Sequence, residues 1–185
     1  NISIWNKVLL MATNLEFIDS FEVTSAVSSF TLDNVFSDKY DVYCLSAQGW
    51  SGSNTSAQLG YFRYLDSTGT VITASEYSVA SLVFRSNLSF VEIRSASNTV
   101  INYALGFYKV DVAPEQTSAI SYIYNPYDSS SYTFGISQAT GMNDGFGRGY
   151  KAISVHKSAE TVRGFEMSNP SGNFTSGKMT VFGVK

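Results

Sequence analysis

Four places in the chain have residue types that could do chemistry. In SGNFTSGKMTVFGVK, Gly172, Gly177 and Lys178 come close to the spacing of a phosphate-binding loop. There the backbone N–H groups hold the phosphates, the lysine reaches the outer ones, and a following Ser or Thr ligates magnesium. Met179 stands where that hydroxyl belongs. Such a loop must also open a helix whose N-terminus adds positive charge, whereas Met179, Val181 and their neighbours alternate with the period of a strand. Residues 169–177 therefore read as a turn between two antiparallel strands, rich in Gly, Asn, Ser and Pro.

His156 is the sole histidine and Cys44 the sole cysteine. One histidine with no nucleophile motif is a weak triad signal, and a multi-histidine metal site is excluded. His156 closes the alternating run AISVH and is read as a surface or strand-end residue. One cysteine allows no internal disulfide and no cysteine cluster. Cys44 in YDVYCLS reads as an inert buried strand residue. Asn143 and Asp144 in GMNDGFGRG lack the spaced acids of a calcium loop, which leaves a glycine-rich turn. A glycosidase would need two acids converging in a groove, and no motif marks such a pair. No catalytic residue, cofactor or metal site is predicted.

The elements that must position anything functional are strands. Alternating runs cover residues 15–23, 29–32, 40–46, 58–65, 82–94, 100–112, 118–124, 132–138, 150–156, 161–167 and 178–184. Turn clusters separate them, 140–149 the longest. Only 75–83 has helical spacing, and it is short enough for one loose turn at most. The expected fold is all-β, an antiparallel β-sandwich of jelly-roll type with about ten strands. Residues 1–10 form an N-terminal arm and residues 11–185 a single sandwich domain. In AQLGYFRYLD, Leu59, Tyr61, Arg63 and Leu65 share one face, and Phe62 and Tyr64 the other. Apolar residues on both faces imply that the outer one is covered, with another subunit the natural cover.

With 44% apolar residues in 185, the chain can fill a core, while charged residues make up 15% and the net charge is -3. No basic cluster is present to neutralise phosphates, so nucleic acid is not an expected partner. No apolar stretch is long enough to cross a bilayer as a helix, so neither is a membrane. Trp50 in AQGWSGSN is the best candidate for stacking on a sugar ring, set against a core or subunit-contact role.

The segments MATNLEFIDS, FSDKYDVYCLSA, ISYIYNPYDSSSYTFGISQ, GRGYKAISVHKSAETVRGFEM and GKMTVFGVK together resemble a family of small virion structural proteins of marine tailed bacteriophages, from Met11 to Lys185. The resemblance implies a non-enzymatic β-sandwich carried on the virion and assembled in the bacterial cytoplasm. Its partners are then its own copies, a trimer being expected, and other virion proteins such as the major capsid or tail proteins. A capsid-decorating role is the first expectation, and a tail-fibre or receptor-binding module for host glycan the alternative.

Residues 1–10, ahead of Met11, include Ile2, Ile4, Trp5, Val8, Leu9 and Leu10. Trp5 is the expected anchor of an arm on a neighbouring subunit, since buried aromatics dominate interfaces. Deleting residues 1–10 is expected to leave the unfolding temperature nearly unchanged while weakening oligomerisation in light scattering. Unfolding many degrees lower would instead make the segment part of the core.

Overall fold

The computed structural model describes residues 14–53, 60–102, 116–143 and 145–185. The expected arm and Trp5 therefore lie outside the described residues, as do Leu59 and most of the run 100–112. The described elements are all strands: β1 (Leu15–Glu22), β2 (Ser29–Leu32), β3 (Val42–Gly52), β4 (Tyr61–Leu65), β5 (Tyr77–Arg85), β6 (Val91–Asn98), β7 (Thr117–Tyr124), β8 (Thr133–Asn143), β9 (Phe146–His156), β10 (Gly164–Ser168) and β11 (Phe174–Val184). They form an all-β antiparallel sandwich of unequal layers. One sheet has eight strands in the order β1-β11-β3-β7-β8-β9-β5-β6, and the other has three, β2-β10-β4.

The small sheet turns Phe30 and Leu32, Phe165 and Met167, and Phe62 and Tyr64 inward, all buried. Its rings pack face to face and edge to face: Phe62 stacks on Phe165 at 4.9 Å, and Phe30 on Phe21 of the large sheet at 4.2 Å. Ile101 extends this layer, exchanging two backbone hydrogen bonds with Phe62 at 2.9 and 3.0 Å. Two polar anchors fix the connections. The hydroxyl of Tyr43 donates to the Ser37 carbonyl at 2.9 Å and accepts from the Ser37 N–H at 2.7 Å. Arg163 grips both oxygens of Asp33 at 2.7 Å, which holds the Asp33 carboxyl below its ordinary range.

Several sequence expectations are corrected. Residues 75–83 form no helical turn; they enter β5, buried at Tyr77, Val79 and Val83. The run 82–94 is two strands, β5 and β6, folded into a hairpin. The cluster 140–149 is mostly ladder: β8 and β9 pair as far as Asn143 and Phe146, and Gly145, just before β9, has φ of +77°. Residues 169–173 alone are loop, because β11 already begins at Phe174. That loop joins different sheets instead of closing a hairpin. Tyr61 and Arg63 remain half-buried, the guanidinium over the Tyr61 ring, so the outer face of the small sheet is not the apolar one.

Trp50 is also corrected as a sugar platform, being only 1% exposed. A bulge between Ala47 and Trp50, with Gly49 at φ of +62°, adds a residue to β3 and turns the indole inward. There it stacks on Phe30 at 5.3 Å, meets Phe174 edge-on at 4.9 Å and donates its N–H to the Lys178 carbonyl at 3.1 Å. Gly177 lies beneath it at φ of +132°, where a Cβ would come within 2.4 Å of the indole. The glycine of the phosphate-loop look-alike thus makes room for a tryptophan.

Trp50→Ala is expected to cost about 3–5 kcal/mol in denaturant unfolding, the range for emptying a buried aromatic site. Gly177→Ala should cost more than about 1 kcal/mol, since alanine is strained at positive φ. An unchanged midpoint for either would contradict this packing. At the β1 edge, the ammonium groups of Lys39 and Lys185 hold the Glu16 carboxyl down at about 2 from an ordinary 4.5. A depressed carboxyl contributes stability above its unfolded value and loses it as pH falls through the folded one. Hydrogen exchange of the β1 amides should therefore accelerate as pH drops from about 4.5 toward about 2, beyond the intrinsic trend. Glu16→Gln should abolish that extra acceleration.

Candidate functional site: an apolar sheet face and a buried histidine cluster

Through their middle, strands β7, β8 and β9 carry small residues on the core side and bulky ones on the outside, with Ile123, Tyr150 and His156 the large core-side residues toward their ends. Inward lie Ala119 and Ser121, Gly135, Ser137 and Ala139, and Ala152 and Ser154. Outward lie Ile120 and Tyr122, Phe134 and Ile136, and Ile153 and Val155, with Ile120, Phe134, Ile136 and Ile153 each more than 40% exposed. An antiparallel sheet with one solvated face ordinarily shows the reverse pattern.

Direct cross-strand partners share a face, so the ladder shows how far the outer apolar surface runs. Phe17 pairs with Phe182, Phe182 with Cys44, Cys44 with Tyr122, Tyr122 with Ile136, Ile136 with Ile153, and Ile153 with Ala80. This row crosses seven strands, β1 to β5, and meets its first charge at Arg94 on the edge strand β6. Beside it runs a second row, Val42, Tyr124, Phe134 and Val155. At about 4.8 Å per strand and about 6.8 Å between same-face rows, the two rows cover on the order of 400 Å². That is as large as the biggest apolar patch of a typical monomer, and such patches tend to be functional. Cys44 lies in the row, 2% exposed; burial pushes its thiol up, which disfavours the reactive thiolate.

On the same face, Gln48, Phe84, Ile120, Gln138, Lys151 and Ser118 help line a groove of about 540 Å³. Its lining is mainly apolar, Phe84 and Ile120 included, with a few amides and hydroxyls, the make-up of a small-molecule site.

His156 is a strand-end residue as expected, but not a surface one. It is fully buried at the last position of β9, with the Tyr77 ring at 5.1 Å and the Tyr64 ring at 5.9 Å. Burial pushes both tyrosine hydroxyls up. His156 Nε2 lies 2.9 Å from Glu160 Oε1, while Nδ1 is buried without a hydrogen-bond partner. Glu76, one residue before β5, completes the group, and one donor atom from each of the three residues falls within 4.8 Å of the others. A backbone bond from Lys157 N–H to the Glu76 carbonyl at 2.9 Å clamps the two segments together.

Sequence reasoning did not find this cluster. His156 and Glu160 are four apart in HKSAE, but Glu76 comes from eighty residues earlier and meets them only because β5 pairs with β9. Trp50 lies in the core near β11, apart from both features, and Lys178 is exposed, paired with Glu22 at 3.8 Å.

Compared with known proteins, the chain matches no family model and no curated protein.

Proposed function

We propose that this chain is a non-enzymatic structural protein of a bacteriophage virion, associated with the capsid and built in as a homo-oligomer, a trimer. The observation that carries the proposal is the outward placement of the bulky residues of β7–β9, which extends an uncharged apolar row across seven strands. A face of this kind gains most by being covered, and repeated copies related by cyclic symmetry are the common cover. The low charge content and the resemblance to marine phage virion proteins support the same reading. Its other partners are then virion proteins such as the major capsid or tail proteins, and its location is the particle. The groove beside Phe84 favours the second reading, a tail-fibre or receptor-binding module that holds host glycan.

The full chain is expected to sediment as a trimer. Ile136→Asp combined with Ile153→Asp, both exposed, should give a folded monomer, because a buried unpaired carboxylate is costly in an interface. A wild-type chain that stays monomeric at high concentration would overturn the assembly reading. Counting copies in purified virions by mass spectrometry against internal standards separates the two roles. Hundreds per particle fit decoration, and tens fit a tail fibre.

A further inference from the structure

We propose that Glu76, His156 and Glu160 bind one divalent metal ion, with zinc the best match to their donors. The site is distinct from the apolar face and does not depend on the virion reading. One imidazole nitrogen and two carboxylates form a ligand set for a borderline cation, with at least one position left for water.

Three observations support the site. The donors converge: all three fall within 4.8 Å of one another, and the closest pair, His156 Nε2 and Glu160 Oε1, is 2.9 Å apart. Two ligands each about 2.1 Å from one ion stand roughly 3.0–3.4 Å apart, so a small side-chain adjustment admits the cation.

The charge is also unbalanced. Among the described residues, no Lys or Arg pairs with either Glu76 or Glu160. The neighbouring cations are engaged elsewhere: the Lys157 ammonium donates to the Ala96 carbonyl and to Ser97, and Arg63 lies at Glu166 and the Thr99 carbonyl. A divalent ion would supply the positive charge that the two carboxylates call for.

Finally, the site is preorganised. The ring of His156 packs against those of Tyr64 and Tyr77, and the segments that carry Glu76 and His156 are clamped by the Lys157 backbone bond. Little ordering remains to be done on binding, as a metal site requires. Half-burial of Glu76 and Glu160 leaves a path for the ion.

The test uses the full chain, stripped with EDTA and titrated with zinc chloride by calorimetry, with cobalt(II) absorption as a second readout. One equivalent should bind saturably, the unfolding temperature should rise with zinc, and cobalt should give visible bands of a nitrogen- and oxygen-ligated ion. Because His156→Ala empties a buried site and risks unfolding, the decisive variants are Glu76→Gln and Glu160→Gln. Each should keep the wild-type circular dichroism and weaken zinc binding at least tenfold. No saturable uptake by the wild type would overturn the proposal, as would uptake that both variants leave unchanged.

Discussion

Three strands must cover one face of eight. At about 4.8 Å per strand the small sheet spans roughly 10 Å and the large one roughly 34 Å, so backbone layers cannot match, and side-chain size makes up the difference. The small sheet turns almost only large residues inward: Phe30, Leu32, Phe62, Tyr64, Phe165 and Met167. Loop residues Val35, Phe36, Ile72, Ile101 and Val162 widen the layer, every one of them buried. Opposite them the large sheet supplies small residues at its centre, where the inner row runs Ser81, Ala152, Ser137, Ser121 and Leu45. Large against small lets the two layers interdigitate at interior density. The Trp50 bulge belongs to the same solution, since it puts the largest side chain of the described residues where the flank of the small sheet leaves off.

This division has a consequence for the other side. If Gly135, Ser137, Ala139, Ala152 and Ser154 must face the core to make room for rings, then the apolar residues that alternate with them face out. The apolar row on the large sheet is thus the complement of the way the core is packed. Ile136 and Ile153 are exposed and point away from the inner layer, so nothing in the core requires them to be apolar. Their apolar character calls for a reason outside the monomer, and an interface is one.

The period of the strands was legible in the sequence, while the face each strand presents was not. In TFGISQAT, the alternation of Phe134 and Ile136 with Gly135 and Ser137 marks a strand, but the usual rule of apolar residues inward would place it upside down. The bulge at Gly49 shifts the parity of β3 in mid-strand, so the alternating run 40–46 did not carry on to Trp50 and its inward direction was not legible. Residues 75–83 left room for one loose helical turn because Tyr77 and Ala80, and Val79 and Val83, fall one turn apart, and over so short a run such spacings also occur in a strand. The glycines in 140–149 suggested a long turn, whereas among the described residues there only Gly145 has positive φ. The antiparallel sandwich itself emerged because it rests on strand count and turn spacing, which survive such local errors.

The histidine cluster was hidden for a different reason, since pairing made it and no motif records it. β5 and β9 are neighbours for nine residues, from Tyr77 opposite His156 to Arg85 opposite Arg148. The acid just before one strand therefore meets the histidine that ends the other. The same two strands carry Ala80 and Ile153 in the outer apolar row, three residues along from Tyr77 and His156. An ion that joined Glu76 to His156 and Glu160 would tie the ends of these strands across the sheet. Binding to the folded state alone adds stability, and here that stability would fall on the end of the β5–β9 ladder, close to the outer face. The two proposals are independent in their evidence, yet the ladder gives them a physical link: metal occupancy would stiffen part of the surface by which copies assemble.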